Sequence, residues 1–306
     1  MQAGIRSSTQ SSYSTAQRAY LNFCQTYNLQ PLPIHKDTIL LFVTHLHELK
    51  LAPSTINVYL AGVRSLQVMA GYPDPDLRSP QVKLALKAIQ ATSNPPRQKD
   101  PIDYRLLCKL FDLLNSEPQN ILWQAILCLA FFAGLRGSEY AAHSQGQVTK
   151  YVTLQQVTID CSTQHTILYF KVTSSKTTLH GYTVPLGCTR VPVCPVCTMV
   201  KYLSRYKASS VTNANSPLFV TAQGTLVTKG MVNEKIKQLV TELGLDPRNY
   251  STHSIRSGAA STAARLGFQD WEIMRLGGWK SSTYRSYIRH LDSHVAGFSA
   301  RLTKDN

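Results

Sequence analysis

Residues 251–292, STHSIRSGAASTAARLGFQDWEIMRLGGWKSSTYRSYIRHLD, decide how this chain is read. His253 and Arg256 stand three apart in a helical pattern and therefore share a face. Ala259, Ala260, Ala263 and Ala264 continue the same helix with small side chains, so a neighbouring segment can pack close to its axis. Gly277-Gly278-Trp279 then breaks a helix, and Tyr284 and Tyr287 follow on the next one. Upstream, Phe131-Phe132-Ala133-Gly134-Leu135-Arg136-Gly137-Ser138-Glu139 ends an apolar helix in a glycine turn with Arg136 at its tip. Lys176, in Ser174-Ser175-Lys176-Thr177-Thr178, lies between two strand patterns and so rides on a hairpin.

Outward from these segments the chain divides in two. Residues 1–93 read as four helices without a strand. Tyr13, Ala16, Tyr20, Phe23 and Tyr27 mark one face of the first. Asp37 is the expected cap of a second helix bearing Leu40, Leu41, Val43, Leu46 and Leu49. Ser54 is the expected cap of a third with Val58, Leu60, Val63, Leu66 and Met69, stopped by Gly71. Ser79-Pro80, a cap followed by a first-position proline, opens the fourth. Residues 94–101, NPPRQKDP, form a linker, because three prolines in eight residues exclude a continuous helix. Helical patterns follow at about 103–115 and 119–133. Alternation at 151–159, 166–172 and 180–185 predicts a small antiparallel sheet. Helical patterns resume at about 195–206, 229–243, 254–266 and 270–276, with two short pieces near the end.

The 306 residues carry 32 Lys+Arg against 17 Asp+Glu, a formal charge of +15 that attracts polyanions. A hydrophobic share of 43% with a charged share of 16% excludes a disordered or fibrous chain. The longest apolar run, Ile121–Leu135, is too short for a membrane span and contains Gln124, so it reads as a buried helix. The N-terminal residues MQAGIRSSTQSS lack the apolar core of a secretory signal. Seven cysteines, an odd number, do not describe a disulfide framework. The expectation is a protein of a reducing, intracellular compartment, nuclear if its source is eukaryotic. Within residues 1–93, eight Lys/Arg face four acids, and Arg64, Lys83 and Lys87 are candidate DNA contacts.

The order of these motifs resembles the tyrosine site-specific recombinases, the phage-integrase family: Arg in a G-L-R-x-S-E turn, Lys on a hairpin, H-x-x-R, G-G-W, then Y-I-R. The resemblance covers nearly the whole chain. It implies a mainly α fold, with a helical, SAM-like core-binding domain at 1–93 and an α+β catalytic domain at 102–306. It also implies double-stranded DNA as partner, no cofactor, and a homotetramer on paired sites. The amphipathic tail at about 293–303 (Val295, Phe298, Leu302) docks either on its own domain or on a neighbouring protomer. Eukaryotic mobile-element recombinases of the Crypton and Ngaro kind have a similar G-x-W…Y-I-R ending, which makes a transposon origin plausible beside a phage or bacterial one.

The chemistry of the set agrees. Arg136 and Arg256 would clamp the non-bridging oxygens of a phosphodiester and keep their charge at working pH. Lys176 would protonate the leaving 5′-hydroxyl, His253 would assist with protons, and Trp279 would pack the site and donate its N–H. Glu139 is a supporting residue for Arg136 or for nearby backbone, with simple surface exposure as its alternative. The family nucleophile usually falls nine residues after the Trp position. Here Tyr287 falls eight after Trp279 and Tyr284 five, so Tyr287 is the nucleophile and Tyr284 the alternative.

The 3′-phosphotyrosyl link that this chemistry would form stores the bond energy, so rejoining is expected to need neither ATP nor metal, and the lack of a Walker-A segment or acidic metal cluster in the sequence agrees with that. Cys188, Cys194 and Cys197, with His180 upstream, could assemble four zinc ligands. A second C-x-x-C is lacking, and small buried cysteines leading into a helix explain the run equally well, so no metal is expected. Two rival functions stand beside recombination: topoisomerase-IB-like relaxation of DNA, and an inactive, domesticated DNA-binding protein.

Overall fold

A computed structural model describes residues 7–77, 79–94, 98–115, 117–142, 151–162, 165–173, 181–209 and 213–289. The chain forms two compact units, Met1–Arg97 and Gln98–Asn306.

The described residues of the first unit form four helices: α1 (Ser7–Thr26), α2 (Lys36–Glu48), α3 (Pro53–Met69) and α4 (Pro80–Thr92). Their core joins Tyr20, Phe23, Phe42, Val43, Ile56 and Val63, with Tyr20 and Phe42 edge-on at 5.2 Å. Gly62 lets α3 cross α1 closely, since a Cβ there would sit 2.7 Å from that of Ala16. Ser79 caps α4 by accepting from the Val82 N–H at 3.4 Å. The expected caps of α2 and α3 are corrected. His35 and Ala52 occupy those positions without side-chain bonds, Asp37 sits inside the first turn, and Pro53 opens α3. The inward face of α2 is Ile39, Phe42, Val43 and Leu46, while Leu41 and Leu49 are exposed.

The second unit is mixed. After α5 (Tyr104–Leu114) and α6 (Ile121–Phe132) comes a single turn, α7 (Gly137–Tyr140). Strands β1 (Val157–Asp160), β2 (Ile167–Val172) and β3 (Tyr182–Gly187) form an antiparallel sheet in the order β1-β2-β3, with Val157 opposite Phe170 and Val172 opposite Tyr182. The first strand is shorter than its pattern, because Leu154–Gln156 form a 3-10 turn. Then follow α8 (Pro195–Ser209), α9 (Lys229–Glu242), α10 (Thr252–Arg265) and α11 (Asp270–Leu276). The segment expected to be the next helix is instead a 3-10 helix, Ser282–Tyr287. Leu122 and every residue from Gln124 to Phe131 are buried on α6, which forms the spine of the core. Among the described residues no helix is long and apolar enough to cross a membrane.

The small residues of α10 have a specific use. A Cβ on Gly258 would lie 1.8 Å from the Ile102 carbonyl oxygen, so only glycine admits that backbone. The Ile102 N–H donates to Ser254 O and the Asp100 N–H to Asn249 O, both at 2.8 Å. The end of the sequence linker is thereby fastened to the second unit.

Candidate active site

Two glycine turns build the site. Gly134 has φ +52°, and a Cβ on it would lie 3.1 Å from the Cα of Gly277, so the turn after α6 and the turn after α11 meet backbone to backbone. Arg256, on α10, fastens both. Its Nη1 donates to Gly134 O in a short bond and its Nη2 to Gly277 O at 3.0 Å. A guanidinium has five N–H donors in a planar fork, so these two bonds fix its plane and leave others for a ligand. Arg256 is 0% exposed. Among the described residues, its Nε and the Trp279 Nε1 are buried without a hydrogen-bond partner.

Arg136 sits at the start of α7 and is held by Glu139, which is 4% exposed. One Glu139 oxygen accepts from Arg136 Nη1 at 2.9 Å, and the other from the Arg136 backbone N–H at 2.8 Å. Burial, and then the like charge of Arg136, push the Arg256 guanidinium below its ordinary value, opposed by Glu139, Tyr182 and Tyr287. The charge of one arginine is therefore felt by the other.

Tyr182 joins their supports, a residue the sequence reading missed. Its hydroxyl lies 3.5 Å from both Glu139 Oε2 and Gly277 O. Burial, with the Glu139 charge adding to it, raises the phenol above its ordinary range, so it remains a neutral donor. The alternation of Tyr182 with Val184 and Leu186 is that of any inward-facing strand position. The sequence signal was its place at the start of β3, directly after Gly181.

Aromatic rings cover Arg256. Its guanidinium carbon is 3.9 Å from the Trp279 ring centroid and 5.3 Å from that of Tyr287. Trp279 and Tyr287 are themselves 5.5 Å apart. The two tyrosines differ in surroundings. Tyr284 is 1% exposed and its hydroxyl accepts from Arg285 Nε at 3.3 Å. Hydrogen bonds from Tyr284 and Arg285 lower the Asp270 carboxyl, so the Tyr284 phenol is engaged in that group. Tyr287 is half-buried and lies against the arginine.

His253, one helical turn before Arg256, is exposed, and its backbone N–H donates to the capping Ser251 hydroxyl at 3.2 Å. Lys229 lies against Gly137, where a Cβ would meet its Cε at 3.2 Å, so a cation absent from the expected set borders the Arg136 turn. Lys176, His180 and the tail at 293–303 lie outside the described residues. Cys188, Cys194 and Cys197 come together, with sulphurs within 4.8 Å of one another. In the first unit Lys83 and Lys87 are exposed on α4. Arg64 is ion-paired instead, its Nε donating to Asp74 at 2.7 Å.

Comparison with known proteins places this geometry. An integrase/recombinase XerD homologue of Selenomonas ruminantium is 22% identical over 267 residues, covering 84% of this chain and 73% of its own length. Solved structures share the fold at low identity. The Tn1549 transposon integrase in complex with transposon right end DNA superposes with a TM-score of 0.62 at 12% identity, over 98% of this chain and 95% of that one. The XerH recombinase in a post-cleavage complex with palindromic difH substrate gives 0.61 at 14% identity, over 89% and 71%. A lambda integrase dimer bound to a core site gives 0.60 at 15%, over 94% and 92%. The model of the phage integrase family matches residues 104–294, which span both glycine turns, both arginines and both tyrosines. This chain belongs to the phage integrase family.

Proposed function

We propose that this protein cuts and rejoins DNA strands through a 3′-phosphotyrosyl intermediate, in site-specific recombination or in the integration and excision of a mobile element. The observation that carries the reading is Arg256 fixed by two backbone carbonyls under Trp279 and Tyr287, with Arg136 near enough to shift it. Two permanently charged forks at one place suit the charge that develops on a phosphodiester in its transition state.

In this reading Tyr287 Oη attacks phosphorus and gives up its proton while the bond from phosphorus to the 5′ oxygen breaks. Lys176 protonates that oxygen, and His253 assists the proton transfers. The phosphotyrosyl bond keeps the energy of the broken one, so attack by a 5′-hydroxyl reverses the step without ATP. Tyr287 is preferred to Tyr284 because the latter's phenol is tied to Arg285 and Asp270.

Double-stranded DNA is the partner, supported by the charge of +15 and by relatives of the same fold solved with transposon end DNA and with difH. The helical first unit would contribute to binding through Lys83 and Lys87. Assembly into a tetramer through the tail at 293–303 is supported by its amphipathic pattern and by the exposed Leu266, Phe268 and Trp271. A eukaryotic source would put the protein in the nucleus.

The test is a suicide duplex, chosen from a random pool by binding and nicked beside the cleavage point. Wild type and Tyr284→Phe should yield a covalent protein–DNA adduct and Tyr287→Phe none. An adduct in Tyr287→Phe moves the nucleophile to Tyr284, and none in wild type overturns the enzyme reading. Relaxation of supercoiled plasmid by a monomer, without strand exchange, would favour the topoisomerase-like alternative.

A further inference from the structure

Outside the catalytic site, a cluster of three thiols has a geometry of its own. The Cys188 sulphur lies 3.6 Å from that of Cys197 and 3.7 Å from that of Cys194. Four sulphurs at about 2.3 Å around a tetrahedral zinc ion stand about 3.8 Å from each other. A disulfide would bring just two sulphurs to about 2.05 Å and would leave the convergence of the third unexplained. Packing of small apolar groups would not explain what the Cys194 sulphur receives. The backbone N–H groups of Thr189 and Cys197 both donate to it at 3.4 Å. A neutral thiol is a weak acceptor, whereas a thiolate held by a metal attracts such donors strongly. Cys194 and Cys197 also flank the start of α8, a helix of 15 residues, where the aligned peptide dipoles favour negative charge.

We propose that Cys188, Cys194 and Cys197 bind a structural zinc ion that fastens the end of β3 to the N-terminus of α8. The fourth corner of the tetrahedron falls to a water molecule. The Cys188 N–H donates to the Thr166 carbonyl at 3.1 Å, so the backbone at this thiol is itself held. The ion takes no part in strand cleavage. Its position gives it a mechanical role, because β3 starts at Tyr182, the phenol shared by the supports of both arginines, and ends next to Cys188. Packing of α8 on α6 links the same ion to the helix that precedes Arg136. Removing it should loosen both ends of the clamp without touching a reacting atom.

The experiment uses the full chain purified under reducing conditions without chelator. Metal analysis should find about one zinc per chain, retained through dialysis. Cobalt exchanged into the site should show sulphur-to-metal charge transfer and the visible bands of a tetrahedral ion. Cys194→Ser should lose the metal and Cys161→Ser, on the exposed Cys161, should keep it. A strong chelator should lower the melting temperature of wild type, and added zinc should restore it. Because the wild-type readings stand without any variant, a Cys194→Ser chain that fails to fold leaves the test intact. Wild type that holds no zinc when refolded with it, and whose melting temperature ignores both chelator and zinc, overturns the proposal. So does a Cys188–Cys197 or Cys188–Cys194 disulfide in the protein kept under reducing conditions.

Discussion

Arg256 lies face-on beneath Trp279, its guanidinium carbon 3.9 Å from the indole centroid, with no exposed surface. Stacking, two carbonyl acceptors and full burial fix the cation in one orientation before any substrate arrives. Such fixed charge acts on a transition state without reorganisation at the moment of reaction. Under the proposed function Arg256 has a chemical role beside this structural one, and the two separate under substitution.

Arg256→Lys should leave one of the carbonyls of Gly134 and Gly277 without a donor and abolish the planar fork. The expected loss of adduct formation is at least about 100-fold, and the loss of stability about 1–3 kcal/mol. Single-turnover cleavage and thermal unfolding of the same preparation measure both.

Trp279→Phe keeps a ring over Arg256 but removes the Nε1 donor, which has no partner among the described residues. Stability should fall by less than about 1.5 kcal/mol, while cleavage falls by about tenfold, as expected for one hydrogen bond to a charged group. Trp279→Ala should lose both stacking and packing, at about 3–5 kcal/mol. Equal loss of cleavage and stability in Trp279→Phe would count against a substrate role for the N–H.

The Arg136–Glu139 pair is unequally buried, with 14% of the arginine side chain and 1% of the glutamate accessible. Arg136→Ala strands a buried carboxylate and should destabilise by about 2–4 kcal/mol, less than a fully buried pair would lose. Glu139→Gln keeps one acceptor oxygen for the Arg136 backbone N–H and gives up the charged partner of Nη1, without stranding a charge in the core, and should lose less. Chemical denaturation of both variants checks the order, and a larger loss in Glu139→Gln would contradict it.

Gly258→Ala drives a methyl group into the Ile102 carbonyl and should destabilise by about 2 kcal/mol or more. Gly187→Ala meets no atom within 4 Å and should be close to neutral. Comparing their melting temperatures isolates the close approach on α10 from the generic cost of replacing glycine.

Binding to DNA should weaken steeply with salt, and removing exposed Lys83 or Lys87 should lower the slope of log K against log salt by about one each. Arg64→Ala should lower it less, because that charge is already paired with Asp74. Titrations at several salt concentrations test both halves of the statement.

Elements with strong local signals were legible in the sequence. Ser79-Pro80 identified the start of α4 because cap and proline act within one turn, and the small residues of α10 pointed to close packing there, although the closest approach falls at Gly258 rather than at the alanines that were named. Caps at Asp37 and Ser54 failed for the opposite reason: nearby His35 and Ala52 took the boundary without any side-chain bond, so no residue type marked it. On α2, several apolar residues allowed more than one inward face, and tertiary packing chose Phe42 over Leu41. The two arginines and their glycine turns could be named from motif order. Tyr182 could not, since its role comes from Glu139 and Gly277, which are 43 and 95 residues away in the chain.

The 3-10 form of Ser282–Tyr287 explains how a short spacer can suffice. A 3-10 helix rises about 2.0 Å per residue against about 1.5 Å in an α-helix, so six residues advance about 12 Å rather than about 9 Å. The difference, about 3 Å, matches the reach of one extended residue, which is the residue missing between Trp279 and Tyr287. Helical pitch thus replaces chain length. Rewinding this segment into an α-helix would draw the Tyr287 phenol back along its axis, so in the proposed reaction the rise per residue sets how far that oxygen reaches.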